Sequence, residues 1–356
     1  MAQTEHKCKM ESENYRLMKD ARNFNPHVHN LVKLQSITPS MRYDGKEDYA
    51  QWVLKAREKL KDLLGLPLIS CEDKFQIEYV SENDTFKEVR FSFQSEEGYF
   101  VPCHFLVPTN AKLPCQTVIC IQGHSKGMHI SMGRIKFDGD EKTINGGDRD
   151  FAVRALKNGF CALVIEQRGM GECGGTPQGP ACYIPTMTNL LIGRTTIGER
   201  VWDVSRAIDI LEKYFPEADT KNLICLGNSG GGTTTFYASC IDERIKTVIP
   251  SCSVCSFDDS IAVMVHCSCN FIPGIRNYFD MGDLAGLIAP RDLIVVCGKD
   301  DKIFPLHGVK KTYEIIERMY KAAGAGRCKL VVGSGGHRFY ADDAWAIFYD
   351  WNKQGY

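Results

Sequence analysis

The chain has 356 residues, 44% of them hydrophobic, enough to bury one large core or two modest ones. Its 43 Lys and Arg offset 44 Asp and Glu to a formal charge of −1, so no basic excess points to a nucleic-acid partner. No window reaches the ~18 consecutive apolar residues of a membrane span, and the opening MAQTEHKCKMESENYRLMKD lacks the apolar segment of a secretory signal.

Residues 1–45 are polar and irregular and read as a loosely ordered arm ahead of one domain over 46–356. Over 47–64 the apolar residues Trp52, Leu54, Leu60, Leu63 and Leu64 recur at helical spacing, and Gly65 with Pro67 ends the helix. From 75 to 107, stretches such as FKEVRFSF alternate as antiparallel strands do. Beyond them strand and helix patterns take turns. Strands are expected at 116–122, 160–166, 222–227, 246–250, 292–297 and 328–332. One helix carries Val201, Val204, Ile208, Leu211 and Phe215 on a single face; another carries Val309, Tyr313, Ile316 and Tyr320. Alternating β and α units predict a mainly parallel, doubly wound sheet with chemistry at the C-terminal strand ends.

Two stretches break the rhythm, about 170–197 and 251–290, and they read as lid-like insertions. Several of the 16 cysteines, including Cys120, Cys161, Cys225 and Cys297, lie in apolar strand runs and behave as small buried hydrophobes. Reduced thiols and a cytoplasmic location are the expectation.

The pattern G-x-S-x-G occurs twice, around Ser125 and around Ser229. A nucleophile elbow needs a strand, a tight turn and a helix in close contact. NLICLG precedes Ser229 as a strand, and GGGTTTFYAS follows as a helix start that only close approach would justify, since three glycines cost helix propensity. The segment after Ser125, MHISMGR, has no helical period. A phosphate-binding turn at Ser229 would carry GKS/T or GxGxxG spacing, which is missing. Ser229 is therefore the expected nucleophile. Gln122-Gly123-His124, ending an earlier strand, reads as an oxyanion loop, with the His124 and Gly230 N–H groups as donors. Downstream, RDLIVVCGKDDKIFP places two adjacent acids, Asp300 and Asp301, past a strand end, and KLVVGSGGHRFY places His337 past the last strand. The order Ser, Asp, His at successive strand ends is that of α/β-hydrolases, with His337 as general base.

Residues 47–352 resemble the acetyl-xylan-esterase-like and dienelactone-hydrolase-like branch of the α/β-hydrolase superfamily. The resemblance rests on KLKDLLGLP, IQGHSKG, IEQRGMGE, IGRTTIGERVWDVSRAIDIL, GNSGGG, DLAGLIAPRDLIVVCGKDDKIFP and GSGGHRF. It implies an α/β-hydrolase fold and a cofactor-free esterase or deacetylase acting on short acyl groups, acetyl on carbohydrate among them. Its G-x-x-D-x-x-x-P spacing fits Gly298, Asp301 and Pro305 and selects Asp301 as the acid. Two departures stand out. Gln122 replaces a common His, and Glu166-Gln167 precede Arg168-Gly169 where relatives often have Asp; Arg168 is expected to be a structural ion-pair residue.

Cys252-x-x-Cys255 followed by His266, Cys267 and Cys269 invites a zinc reading, but a second C-x₂-C hook is missing, and thiols lining a lid are the expected account. No metal is expected. Tyr183 and Phe271, with Tyr278 and Phe279, are candidate walls of the substrate pocket. Thr176, Gln178, Thr186, Thr188 and Asn189 are candidate sugar ligands. The expected partner is a small-molecule ester, with no nucleic acid and no membrane. Two other readings remain open at this level: an oligopeptidase-like acyl hydrolase on the same triad, and a hydrolase-fold protein that binds without turnover.

Overall fold

The computed structural model describes residues 25–353. Most of the expected polar arm lies outside them. The part that is described is ordered: helix α1, Pro26–Ser36, is capped by the Asn25 side chain, which accepts from the His27 and Val28 amides, and it buries Val28 and Leu31. The chain then docks on the second insertion through Ser40 N–H to the Asn277 carbonyl, Met41 N–H to the Tyr278 carbonyl, and an Arg42–Asp283 ion pair at 2.9 Å. A polar sequence hid this segment because few of its residues are apolar: Val28 and Leu31 are buried and Met41 and Tyr43 pack on the core, while the rest of the docking is backbone bonds and one ion pair.

Helix α2, Tyr49–Leu64, begins at Asp48, whose carboxylate accepts from the Gln51 amide, and ends at Gly65, which supplies the left-handed C-cap at φ +77°. Trp52, Ala56, Leu60 and Leu64 form its buried stripe, whereas Leu54 faces out. Strands β1 (Gln76–Glu82), β2 (Phe86–Glu96) and β3 (Tyr99–Pro108) form the antiparallel meander that the alternation predicts.

The rest alternates. Strand β4 (Cys115–Ile121) leads into α3 (Asp140–Gly147) and α4 (Phe151–Lys157), then β5 (Cys161–Ile165). Helices α5 (Tyr183–Leu191) and α6 (Thr196–Tyr214) precede β6 (Ala218–Asn228), α7 (Gly230–Ile241) and β7 (Ile245–Ser251). After α8 (Met281–Leu284) come β8 (Asp292–Gly298), α9 (Leu306–Ala323), β9 (Cys328–Gly333) and α10 (Ala341–Lys353). The nine strands form one sheet in the order β1-β2-β3-β5-β4-β6-β7-β8-β9, parallel from β5 to β9. Chain direction switches at β4, with β5 on one side and β6 on the other. A crevice opens at such a switch point, beyond the carboxyl ends of the strands.

Both sheet faces are covered, so the parallel strands are continuous apolar runs whose side chains still alternate. Along β4, Cys115, Ile119 and Ile121 join the core under α2, α6, α7 and α9, whereas Val118 and Cys120 join the core under α4 and α10. The 170–197 stretch differs from the loop expected of it. It contains α5 and the start of α6, where Thr186 and Asn189 are buried and bonded to Thr196 and Glu199.

Arg168, after β5, lies at the centre of a buried ion network. It holds Asp203 with two hydrogen bonds of 2.8 and 2.9 Å, Glu96 at 2.8 Å and Glu199 at 3.1 Å, and its guanidinium lies 4.0 Å over the Tyr99 ring. It is structural, as the sequence suggested. Arg168→Met would leave buried Asp203 without its cation and Glu96 and Glu199 with Arg194 alone. Urea unfolding should show a loss of about 3–5 kcal/mol; a loss under about 1 kcal/mol would mean that the network relaxes without it.

Candidate active site

Ser229 stands between β6 and α7 at φ +59°, ψ −126°, a region that a residue with a β-carbon adopts only under constraint. The constraint is steric. A β-carbon on Gly227 would lie 2.6 Å from both the Gly231 and Ile121 carbonyl oxygens; one on Gly231 would run into the Ile121 carbonyl from even closer. Strand, turn and helix therefore fit against β4 only with hydrogens at these positions. The turn is held from the other side by Ser229 N–H donating to the Ser251 carbonyl at 2.8 Å. The side chain of Ser229 is left at the surface of the crevice, half-buried.

The loop after β4 lies against this turn. A β-carbon on Gly123 would approach Ser229 Cβ to 3.1 Å, and one on Gly230 would meet the His124 ring at 2.6 Å. Among the described residues, neither the His124 nor the Gly230 N–H donates to a protein acceptor. Behind the loop, Gln122 donates to Ser131 Oγ at 3.0 Å and to the Arg149 carbonyl at 2.9 Å. Gln167 donates to the Gln122 carbonyl and accepts from Thr234 Oγ1 at 2.5 Å. The two residues that depart from the family pattern thus form a neutral amide brace. Ser125 is buried, follows no elbow, and makes one long bond, 3.5 Å, to the Gly127 carbonyl.

His337 Nδ1 meets Asp301 Oδ2 at 2.8 Å. Asp301 is 4% exposed, and its Oδ1 accepts from the Ile303 and Phe304 amides at 2.8 and 3.2 Å. Burial disfavours its charge, but the hydrogen bond and charge of His337 and the two amides outweigh this and hold the carboxyl below its usual range. Asp300 is exposed, and its backbone N–H bonds the Gly335 carbonyl. The Phe304 ring stacks on His337 with centroids 6.0 Å apart. Tyr340 pins the histidine loop, its hydroxyl donating to the Gly336 carbonyl at 2.7 Å and accepting from Gly335 N–H at 3.0 Å. Ser251 joins the two halves of the site: its carbonyl holds Ser229, and its hydroxyl donates to the Arg338 carbonyl at 3.1 Å. No hydrogen bond joins Ser229 Oγ to His337 among the described residues. Cys252 lies against Asp301 and His337, but burial and the Asp301 charge push its thiol up to about 12, so it stays protonated.

An open pocket of about 410 Å³ lies beside His124, Ser125 and His337. Lys126, Lys142, Arg149 and Gln178 line it, and no acid does. Tyr183 and Phe271 are 66% and 45% exposed and do not line it. Phe279 belongs to the core, and Tyr278 packs against that core beneath Lys59. The aromatic walls expected from the sequence are not brought to this pocket. Arg149, which belongs to no sequence motif, forms no ion pair among the described residues. Its only sequence signal was a lone arginine between Gly147 and the next helix.

A parallel sheet with this switch point and this elbow defines the α/β-hydrolase fold. Residues 10–181 match the profile of the Abhydrolase family. The chain is 24% identical over 247 residues to YtaP of Bacillus subtilis (strain 168), named as a hydrolase, covering 67% of this chain and 78% of YtaP. Among solved structures, a Bacteroides fragilis protein named as an acetyl xylan esterase is similar with TM-score 0.75 at 14% identity, over 88% of this chain and 83% of that one. A glucuronoyl esterase from Solibacter usitatus has TM-score 0.68 at 15% identity, over 89% and 97%. These likenesses agree with the α/β-hydrolase fold to which the sequence motifs point.

Gly231→Ala tests the elbow. Its methyl has no room against the β4 backbone, so overpacking should cost about 2–3 kcal/mol in urea unfolding. Gly146→Ala, on the exposed side of α3 with no atom within 4 Å of the new β-carbon, should be neutral or stabilising. Equal effects would remove the steric account of the turn.

Proposed function

We propose that the protein is a serine carboxylic-ester hydrolase that cleaves short acyl esters of carbohydrate through an acyl-enzyme on Ser229. The observation that carries this reading is the constrained Ser229 at the switch point, across one bridging residue from the Asp301–His337 pair. In the proposed cycle His337 Nε2 takes the Ser229 hydroxyl proton as Oγ attacks the ester carbonyl. Asp301 keeps the proton on Nδ1 and stabilises the imidazolium. The oxyanion sits on the unengaged His124 and Gly230 N–H groups. Collapse passes the proton to the leaving alkoxide, giving the alcohol and acyl-Ser229. Water, activated by the same histidine, then releases the acid and restores the serine.

The pocket supports a substrate with negative charge. Lys126, Lys142 and Arg149 line it and no acid does, although Lys126 also bonds the Asp138 carbonyl and lies 3.8 Å from Asp140. The likeness to proteins named as acetyl xylan and glucuronoyl esterases supports a carbohydrate ester; the cationic lining favours one on or beside an acidic sugar. No helix among the described residues is long and apolar enough to cross a membrane. The described cysteines are all free, which fits a reducing compartment such as the cytoplasm.

Ser229→Ala should lower kcat on p-nitrophenyl acetate by about 10⁴–10⁶, and Asp301→Asn by about 10⁴. Ser125→Ala and Asp300→Asn should change it little. A fluorophosphonate adduct on Ser125, or the reverse ranking of the acids, would overturn the assignment.

Arg149→Ala should raise KM about 10–100-fold for an ester of a uronic acid, the worth of one charge-assisted hydrogen bond. The neutral acetate should be hydrolysed as before. An equal effect on both esters would mean that Arg149 does not read charge.

A further inference from the structure

Four side chains that no sequence motif connects meet beside the elbow: His124 from the loop after β4, Cys182 from the N-cap of α5, and Cys267 and Cys269 from the second insertion. Their ligating atoms all lie within 4.8 Å of one another. His124 Nε2 is 3.2 Å from Cys269 Sγ, and Cys269 Sγ is 3.2 Å from Cys267 Sγ. Four ligand atoms on a tetrahedron around zinc, each at roughly 2.0–2.3 Å from the metal, stand roughly 3.3–3.8 Å apart. The sulfurs are not in disulfides. Three thiols and one imidazole converging on a point satisfy each other poorly as hydrogen-bond partners, because thiols are weak donors and weak acceptors. They suit a borderline-soft cation well.

An independent observation comes from the charges. Arg200, in the first turn of α6, is 1% exposed and has no carboxylate partner among the described residues. It donates to the Arg168 carbonyl from Nε and Nη2, and its Nη2 reaches Cys182 Sγ at 3.3 Å. Its Nη1 has no hydrogen-bond partner among the described residues. A buried guanidinium needs a counter-charge. A zinc ion with three thiolates and a neutral imidazole carries −1, which is the charge that Arg200 lacks.

We propose that His124, Cys182, Cys267 and Cys269 bind one structural zinc ion. Four protein ligands fill a tetrahedron and leave no position for water, so the ion is not a Lewis acid for hydrolysis. It ties together the three segments that surround Ser229: the loop after β4 and both insertions. The site does not depend on Ser229 being a nucleophile. It also regroups the sequence's zinc candidates. Cys252 faces Asp301, Cys255 packs on Gly308, and His266 bonds Ser260 and Asn270; only Cys267 and Cys269 remain.

The test is metal analysis of the full chain purified under reductant without chelators. About one zinc per chain is expected. Cys182→Ser and Cys267→Ser should each lose most of it, while Cys240→Ser, a buried thiol on α7, should keep it. Should the serine variants fail to fold, wild-type protein grown in cobalt keeps the proposal falsifiable: a tetrahedral site gives a thiolate-to-cobalt charge-transfer band and visible d–d bands. Wild-type protein without zinc and without these cobalt bands would overturn the site. So would zinc retained in both ligand variants, or a disulfide among Cys182, Cys267 and Cys269 in freshly purified protein.

Discussion

Gly231 and Gly227 bring the β6–α7 turn so near to β4 that no side chain fits between them, and the rest of the site follows from that approach. With strand and helix so close, the chain can turn only by placing Ser229 in the left-handed region, at a cost of order 1–3 kcal/mol for a residue that is not glycine. The same approach sets the β4 loop against Ser229 and leaves the Gly230 N–H, at the start of a helix, without an intrahelical acceptor. Ser229 and the two unengaged amides beside it are thus placed by one packing constraint. The constraint is supported by the burial of nearly every residue of α7, which leaves the helix no freedom to move away.

The electrostatics divide between two arginines at one end of α6. Arg168 faces Glu96, Glu199 and Asp203, and its charge is matched within the protein several times over. Arg200 is equally buried but turns to a carbonyl and a thiol. The asymmetry is chemical. A guanidinium among carboxylates is stable in any redox state of the cell, whereas one opposite sulfur depends on those sulfurs being thiolates. Zinc is the common means of keeping a buried thiol deprotonated near neutral pH.

Much of this was legible in the sequence, and the exceptions share a cause. The six parallel strands, α2 and the two long helices could be read because burial on one stripe or two faces repeats within a few residues. Asp301 and His337 could be read because each follows a strand end by a short, glycine-marked interval. Leu54 was misread because Ala56, small and easily overlooked, takes its place in the stripe. The order in 26–45 went unseen because part of it rests on a contact far along the chain, Arg42 with Asp283, and the helix α5 because its buried residues are polar, Thr186 bonding Thr196 and Asn189 bonding Glu199. The thiol cluster is the extreme case. Cys252-x-x-Cys255 looks like a metal hook by local spacing, yet the convergent set draws on loops separated by more of the chain than any motif spans.

The expectation of a hydrolase that needs no metal and a thiol cluster beside the loop after β4 are compatible on the geometry. His124 takes part twice, with different atoms. Its backbone N–H has no protein acceptor among the described residues, and its ring turns into the cluster. A peptide group directs a hydrogen bond well only if it cannot rotate, and preorganised donors avoid reorganisation at the moment charge develops. In many loops a side chain packed on the core provides that rigidity. Here Gly123 precedes His124, and Lys126 and Gly127 follow, so between the Gln122 brace and the buried Met128 the ring of His124 is the side chain placed to hold this amide. Fixing the ring of His124 among three sulfurs would fix its amide as well. On this argument the cluster would bear on the proposed reaction only through the orientation of one N–H.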